Sequence, residues 1–150
     1  MNRRELEQFL HEHIPLSKAI GVQVQKSCAD HVVLSAPLTP NINHHSTVFG
    51  GSASAVASLA AWALLHIRLR QAGLQSRLVI QQNTMKYEQP IANKFIASSC
   101  VEDLPAWEKF KDMLTRKKRA RISIKVTIQC RGEKVGEMNG DFVALANPVG

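Results

Sequence analysis

The stretch Gly50-Gly51-Ser52-Ala53-Ser54-Ala55-Val56-Ala57-Ser58-Leu59-Ala60-Ala61-Trp62-Ala63-Leu64-Leu65 decides how this chain is read. It opens on two glycines and continues as a helix to about Gln71, with Gly73 just beyond as the stop signal. Its middle is apolar nearly all round: Ala53, Ala55, Val56, Ala57, Leu59, Ala60, Ala61, Trp62, Leu64 and Leu65 leave almost no polar face. Such a helix has to be covered on several sides. At about 30 Å for 20 residues it is long enough to be the central element of a domain this size. The apolar run itself, Ala53 to Leu65, is short, rich in alanine and broken by Ser54 and Ser58, so a buried core helix is expected rather than a membrane span.

The segments around it supply the cover. Arg4 to Ile14 carries Leu6, Phe9, Leu10 and Ile14 at helical spacing, with Pro15 expected to end it. Ala19–Ser27 and His31–Ala36 read as a hairpin of two strands joined at Cys28-Ala29-Asp30. Thr39 to Phe49 has no periodicity and is a loop. After the central helix, Leu78–Glu88 and Lys94–Glu102 read as strands, and Leu104–Lys118 as a basic helix with Trp107, Phe110, Met113 and Leu114 on one face. Arg121–Gln129 alternates Ile122, Ile124, Val126 and Ile128 with polar residues, the mark of a half-buried strand, and Arg131-Gly132-Glu133 turns it back into Lys134–Ala146. The expectation is one α+β domain over residues 1–150, a six-stranded antiparallel sheet curled around the long helix. Such a sheet has open edges, and pairing them between two copies gives a homodimer, with tetramers left open.

The chain has 150 residues and a formal net charge of +7. From Leu104 to Arg121 seven cations (Lys109, Lys111, Arg116, Lys117, Lys118, Arg119, Arg121) face only Glu108 and Asp112, a net of +5. An acidic partner is expected there. The run Arg116–Arg119 resembles a nucleic-acid patch, but it closes a helix, where cations are favoured anyway, and lacks interleaved aromatic residues. A solvated helix end is the first reading of the run and docking of an acidic partner through Lys117, Lys118 and Arg119 the second, with no nucleic acid or membrane expected as partner. The three cysteines are scattered and the charged start Met1–Glu7 is not a signal peptide, so a reducing, cytoplasmic setting is expected.

The chemistry is sought in Pro40-Asn41-Ile42-Asn43-His44-His45-Ser46-Thr47-Val48-Phe49-Gly50-Gly51. Two glycines at a helix start let backbone N–H groups approach a ligand with no Cβ in the way. Those groups lack intrahelical acceptors and sit at the positive end of the helix dipole, a suitable holder for a carbonyl oxygen becoming an oxyanion. Asn43 lies in the same loop. The plainer reading is that Gly50-Gly51 only permits close packing of helix on sheet. His44-His45 invites a metal, but neighbouring histidines point apart and no Asp, Glu or Cys completes a set, so no metal is expected and both are placed at the site rim.

With its element order, its Asn43-to-Gly50-Gly51 loop and the strand end Tyr87-Glu88-Gln89-Pro90-Ile91, the chain resembles the hotdog-fold thioesterases over nearly its whole length. It looks closest to the thioesterase-like domain that in some bacteria follows a GNAT-type acetyltransferase domain, which is not present in this sequence. The resemblance implies a thioester substrate whose coenzyme A or phosphopantetheine enters as part of it, with no further cofactor. Asn43 matches the loop Asn that holds the reacting group, with Asn41 as the alternative amide, and Gly50 matches the residue whose N–H polarises the carbonyl, beside Gly51. Thr47 and Phe49 are expected near the substrate; Gln82 and Asn83, polar on the third strand, are expected either as its solvated face or as lining the site from the partner subunit. This chain departs from the pattern at Phe49, where many relatives have His, and at Ser58, where they keep a catalytic Asp or Glu. Between Asp30 and Glu88 there is no carboxylate. Hydrolysis usually enlists one, whereas decarboxylation of a malonyl thioester needs an oxyanion site and no base. Malonyl-acyl carrier protein decarboxylation is therefore the leading expectation, a thioesterase the second and a non-catalytic acyl-binding module the third.

Overall fold

The computed structural model describes residues 1–147. Helix α1 (Arg3–His13) starts from a capping box in which the Glu5 N–H donates to Asn2 Oδ1 (2.8 Å) and the Asn2 N–H to Glu5 Oε2 (2.9 Å). Pro15 does more than end it. It occupies the first turn of a second helix, α2 (Pro15–Ile20), where its missing N–H costs nothing, and Gly21 closes that helix in the left-handed region at φ 81°. Residues 19–21 are thus helix and cap rather than strand, and β1 is only Gln23–Ser27. The alternation of Ile20, Val22 and Val24 is real burial, shared between two element types.

The remaining elements follow the expected order: β2 (His31–Ala36), one 3-10 turn (Thr39–Asn41), α3 (Gly50–Gln71), β3 (Ser76–Tyr87), β4 (Phe95–Cys100), α4 (Leu104–Lys117), β5 (Arg119–Cys130) and β6 (Glu133–Ala146). Six antiparallel strands form one sheet in the order β1-β2-β4-β5-β6-β3. The sheet curls around α3, the hotdog arrangement. By length and composition α3 could cross a membrane, contrary to the reading of the apolar run alone; here its most apolar window is 61% buried among the sheet and α1. Ala57, Ala60, Ala61, Ala63, Leu64 and Leu65 have no exposed surface, and the alanines let the strands approach closely.

The two sheet edges differ. At β1 the strand is short and bulged, and α1 lies along it: the Val24 N–H donates to Glu7 Oε1 (2.8 Å) and His11 Nε2 bonds the Val22 carbonyl (2.9 Å). At the other edge β3 runs for 12 residues with no strand on its outer side among the described residues, and Val79 and Ile80 are 50% and 40% exposed. An open edge of that length is a template for another chain.

Candidate active site

The loop before α3 is built from its own side chains. Asn43 Oδ1 accepts from the His45 N–H (2.8 Å) and the Thr47 N–H (3.2 Å), its Nδ2 donates to Thr47 Oγ1 (2.9 Å), and its own N–H donates to the Thr47 carbonyl (2.8 Å). This Asx-type turn puts Ser46 at φ 62° and closes residues 43–47 into one unit. Asn41 does something else. It is 3% exposed, and its Nδ2 donates to the carbonyls of Ile20 (2.9 Å) and Pro37 (2.8 Å), so both amide hydrogens are spent tying the loop to the end of α2 and to the residue that follows β2. Asn41 is therefore a positioning residue for the loop, not a reacting amide or a substrate contact. Beyond it the Phe49 N–H donates to the Asn41 carbonyl (2.7 Å) and the Val48 N–H to the Ile91 carbonyl (2.8 Å).

Helix α3 then starts without a side-chain cap, because Phe49 stands at the N-cap position. Among the described residues no acceptor faces the N–H groups of Gly50 and Gly51. They open on a cleft of about 470 Å³ walled by Thr47, Val48, Ala53, Tyr87, Glu88, Gln89, Pro90 and Ile91. Both glycines lie close against aromatic rings. A Cβ on Gly50 would lie 3.3 Å from the Tyr87 ring and hydroxyl, and one on Gly51 would lie 2.5 Å from the Phe49 ring. That ring, 60% exposed, lies across the helix start as a rim of the cleft.

The far wall comes from the end of β3. Tyr87 pairs with Gly136 on β6, and the N–H groups of Glu88 and Gln89 both donate to the Val135 carbonyl (2.9 and 3.1 Å). The Tyr87 hydroxyl donates to the Gly50 carbonyl (2.9 Å), pinning the helix start from outside. Glu88 is the one carboxylate lining the cleft among the described residues, and it is ion-paired with Lys134 at 3.3 Å. Lys134 also meets Glu137 at 3.3 Å, which is 8% exposed and in turn meets Lys125 (3.1 Å) and Lys86 (3.6 Å). Hydrogen bonds from Lys125 and Lys134 hold the Glu137 carboxyl below its ordinary value, and those to Glu137 and Glu88 hold the Lys134 ammonium above its own. The cleft acid thus sits at the end of a fixed network of charges.

Sequence reasoning missed Tyr87 and Glu88. They lie 37 and 38 positions after Gly50, and only the β3–β6 register brings them to it. Contrary to the expectation of a site without an acid, no carboxylate lies near Gly50 in sequence but Glu88 lines the cleft in space. Ser58 is corrected too. Two turns along α3, its Oγ points to Met138 Sδ (3.5 Å) on β6 and does not line the cleft. His44 and His45 do not diverge as expected; the tight turn brings their rings to 3.8 Å, exposed beside the cleft rather than in its wall. Gln82 and Asn83 are exposed further back along the β3 edge, paired with Asp141 and Gly140, and do not line the cleft of their own chain. Lys117, Lys118 and Arg119 lie at the opposite end of the molecule.

The sequence matches, over residues 3–146, the profile of the family described as "Putative thioesterase (yiiD_Cterm)". The chain belongs to that family. Its fold is shared with a protein of unknown function from Chlorobaculum tepidum, at 28% identity and TM-score 0.90 over 97% of this chain and 94% of that one. It is shared also with the "putative thioesterase" of Shewanella oneidensis (23% identity, TM-score 0.85, 95% and 96% covered) and a thioesterase of Haemophilus influenzae (11%, 0.76, 97% and 92%). The last two likenesses speak for the hotdog fold, and family membership speaks for thioesterase-like function.

Proposed function

We propose that this hotdog protein acts on an acyl thioester of acyl carrier protein or coenzyme A, and that its reaction is the decarboxylation of a malonyl thioester. The observation that carries the reading is the uncapped start of α3, where the Gly50 and Gly51 N–H groups face a cleft with no protein acceptor among the described residues. Donors fixed in this way stabilise charge that develops on a carbonyl oxygen without having to reorganise. In decarboxylation the bond between the α-carbon and the carboxylate carbon breaks and carbon dioxide leaves. The electron pair forms an enolate whose negative oxygen the N–H groups hold, and a proton from solvent then adds to the α-carbon to give the acetyl thioester. Asn43 is not among the residues that wall the cleft; it holds in shape the loop that carries Thr47, which is, and it has one amide hydrogen left over for a malonyl carboxylate at the cleft mouth. A homodimer across the β3 edge would cover Val79 and Ile80 and close the open side of the cleft.

Hydrolysis is the second reading, and Glu88 favours it: a carboxylate in the cleft wall can hold a water against the polarised carbonyl. Its carboxylate is already taken up by the ion pair with Lys134 at 3.3 Å, which is why decarboxylation is placed first. Malonyl, acetyl and longer acyl thioesters of both carriers, incubated with the protein and followed by mass spectrometry, separate the readings. Conversion of malonyl to acetyl thioester with loss of carbon dioxide is the expected result. Free thiol would replace it with a thioesterase, and unchanged substrates would leave an acyl-binding module.

A further inference from the structure

Lys117, Lys118 and Arg119 are three consecutive exposed cations, and among the described residues none has an acidic partner within 4 Å, whereas their neighbours Arg116 and Arg121 are paired with Asp112 and Asp141. A row of free cations on a chain of net charge +7 suits an acidic protein surface. The difficulty is its position. The first turn of α4 packs at the C-terminal end of α3, with the Arg68 guanidinium 4.5 Å from the centre of the Trp107 ring, and the cations follow ~15 Å further along α4. The cleft is at the N-terminal end, and the 18 residues from Gly50 to Arg68 span about 27 Å. The sheet gives the same answer independently. Tyr87 pairs with Gly136 and Arg119 with Leu145, which puts about 30 Å of β6 between the cleft and the cations.

The register also offers a shorter route. Arg77, at the start of β3, pairs with Leu145, and Leu145 pairs with Arg119, so these three residues form one row across the sheet. Antiparallel pairing of β3 with a second copy reverses the strand and sets the start of one β3 beside the end of the other. Arg119 of the partner subunit then lies three strand spacings from Tyr87, about 14 Å at 4.8 Å per strand. We infer that the basic end of α4 docks an acidic, phosphopantetheine-bearing carrier protein for the cleft of the partner subunit, not for its own. This rests on the thioester reading and on the dimer across β3.

Two defective chains test it. One has the triple reversal Lys117→Glu, Lys118→Glu, Arg119→Glu. The other has Gly50→Pro, which deletes the N–H at the cleft. The triple reversal should lower kcat/KM for the carrier-bound substrate at least tenfold more than for a short pantetheine thioester, and more steeply at low salt. Heterodimers of the two chains, purified by two tags, should then recover about half the wild-type activity on the carrier substrate, because one of the two symmetry-related sites pairs an intact cleft with an intact partner patch. Purified heterodimers that stay inactive on the carrier while turning over the pantetheine substrate would overturn the inference, because the patch would serve its own chain. Equal losses on both substrates in the triple variant would overturn docking itself. A wild-type protein inert on both would remove the thioester reading instead, and this inference with it.

Discussion

The two ends of α3 end a helix in opposite ways. At the C-terminal end the Ala72 N–H reaches the carbonyl of Arg68, the Gly73 N–H that of Arg70 and the Leu74 N–H that of Leu69, and Gly73 takes φ 72°. Arg68 adds a bond to the Ala29 carbonyl (2.5 Å) and stacks its guanidinium on Trp107. At the N-terminal end there is no cap, two glycines expose their N–H groups, and Tyr87 bonds the Gly50 carbonyl while leaving its N–H free. One end has its backbone groups satisfied by the protein; the other leaves them for a ligand. The difference separates holding the fold from doing the chemistry.

The largest effect expected is on the open end. Gly50 is the first residue of α3, where proline is well accepted, and Phe49 at φ −57° and ψ 131° already has the backbone that a residue before proline needs. Gly50→Pro should therefore fold and melt close to wild type, yet lose about 10²–10³-fold in kcat, the cost of one oxyanion donor. Asn43→Ala comes next. It releases the turn that holds Thr47 and removes the spare amide hydrogen, and a loss of roughly 2 kcal/mol of transition-state stabilisation, about 30-fold in kcat/KM, is expected. Asn43→Asp sharpens this test: it keeps the acceptors for His45 and Thr47 but not the donor, so a near-normal Asp variant would limit Asn43 to shaping the loop.

The closed end should answer in stability instead. Arg68→Ala should cost about 1–3 kcal/mol in denaturant unfolding, through the stacking and the bond to Ala29, with little change in turnover. The smallest effect concerns His66, two residues earlier. Stacked on Trp62 at 4.8 Å and on Phe9 at 4.9 Å, it is held below its ordinary value of 6.5 by burial first, then by Arg70, His13 and the N-terminus. Because the unfolded chain takes up that proton more readily, stability should fall as pH drops below about 6.5 and be unaffected by this group above it. His66→Gln should flatten the melting temperature between pH 7 and pH 5.5 relative to wild type.

Much of this was legible in the chain itself. The alanine-rich run of α3, the alternation in β5 and the glycines at position 50 each obey a single local rule, and the helix, the strand and the uncapped start all follow. The failures share a cause, which is that local rules do not carry direction or distance. A helix apolar all round gives no face, so the orientation of Ser58 toward Met138 could not be read. Asn41 and Asn43 look alike in a loop, and only burial separates the tie from the turn. Glu88 enters the cleft through the β3–β6 register, and Pro15 could end one helix or start another; here it starts α2.

The central claim is that the N–H of Gly50 polarises a thioester carbonyl, and it can be observed without turnover. Infrared difference spectra would be recorded for a bound acetyl-coenzyme A analogue in which a methylene replaces the sulfur, its carbonyl labelled with carbon-13. The stretch should move to lower wavenumber on binding to wild type and to Gly50→Ala, which keep the N–H, and return to its free position in Gly50→Pro. A full shift retained in a folded, ligand-saturated Gly50→Pro protein would contradict the account.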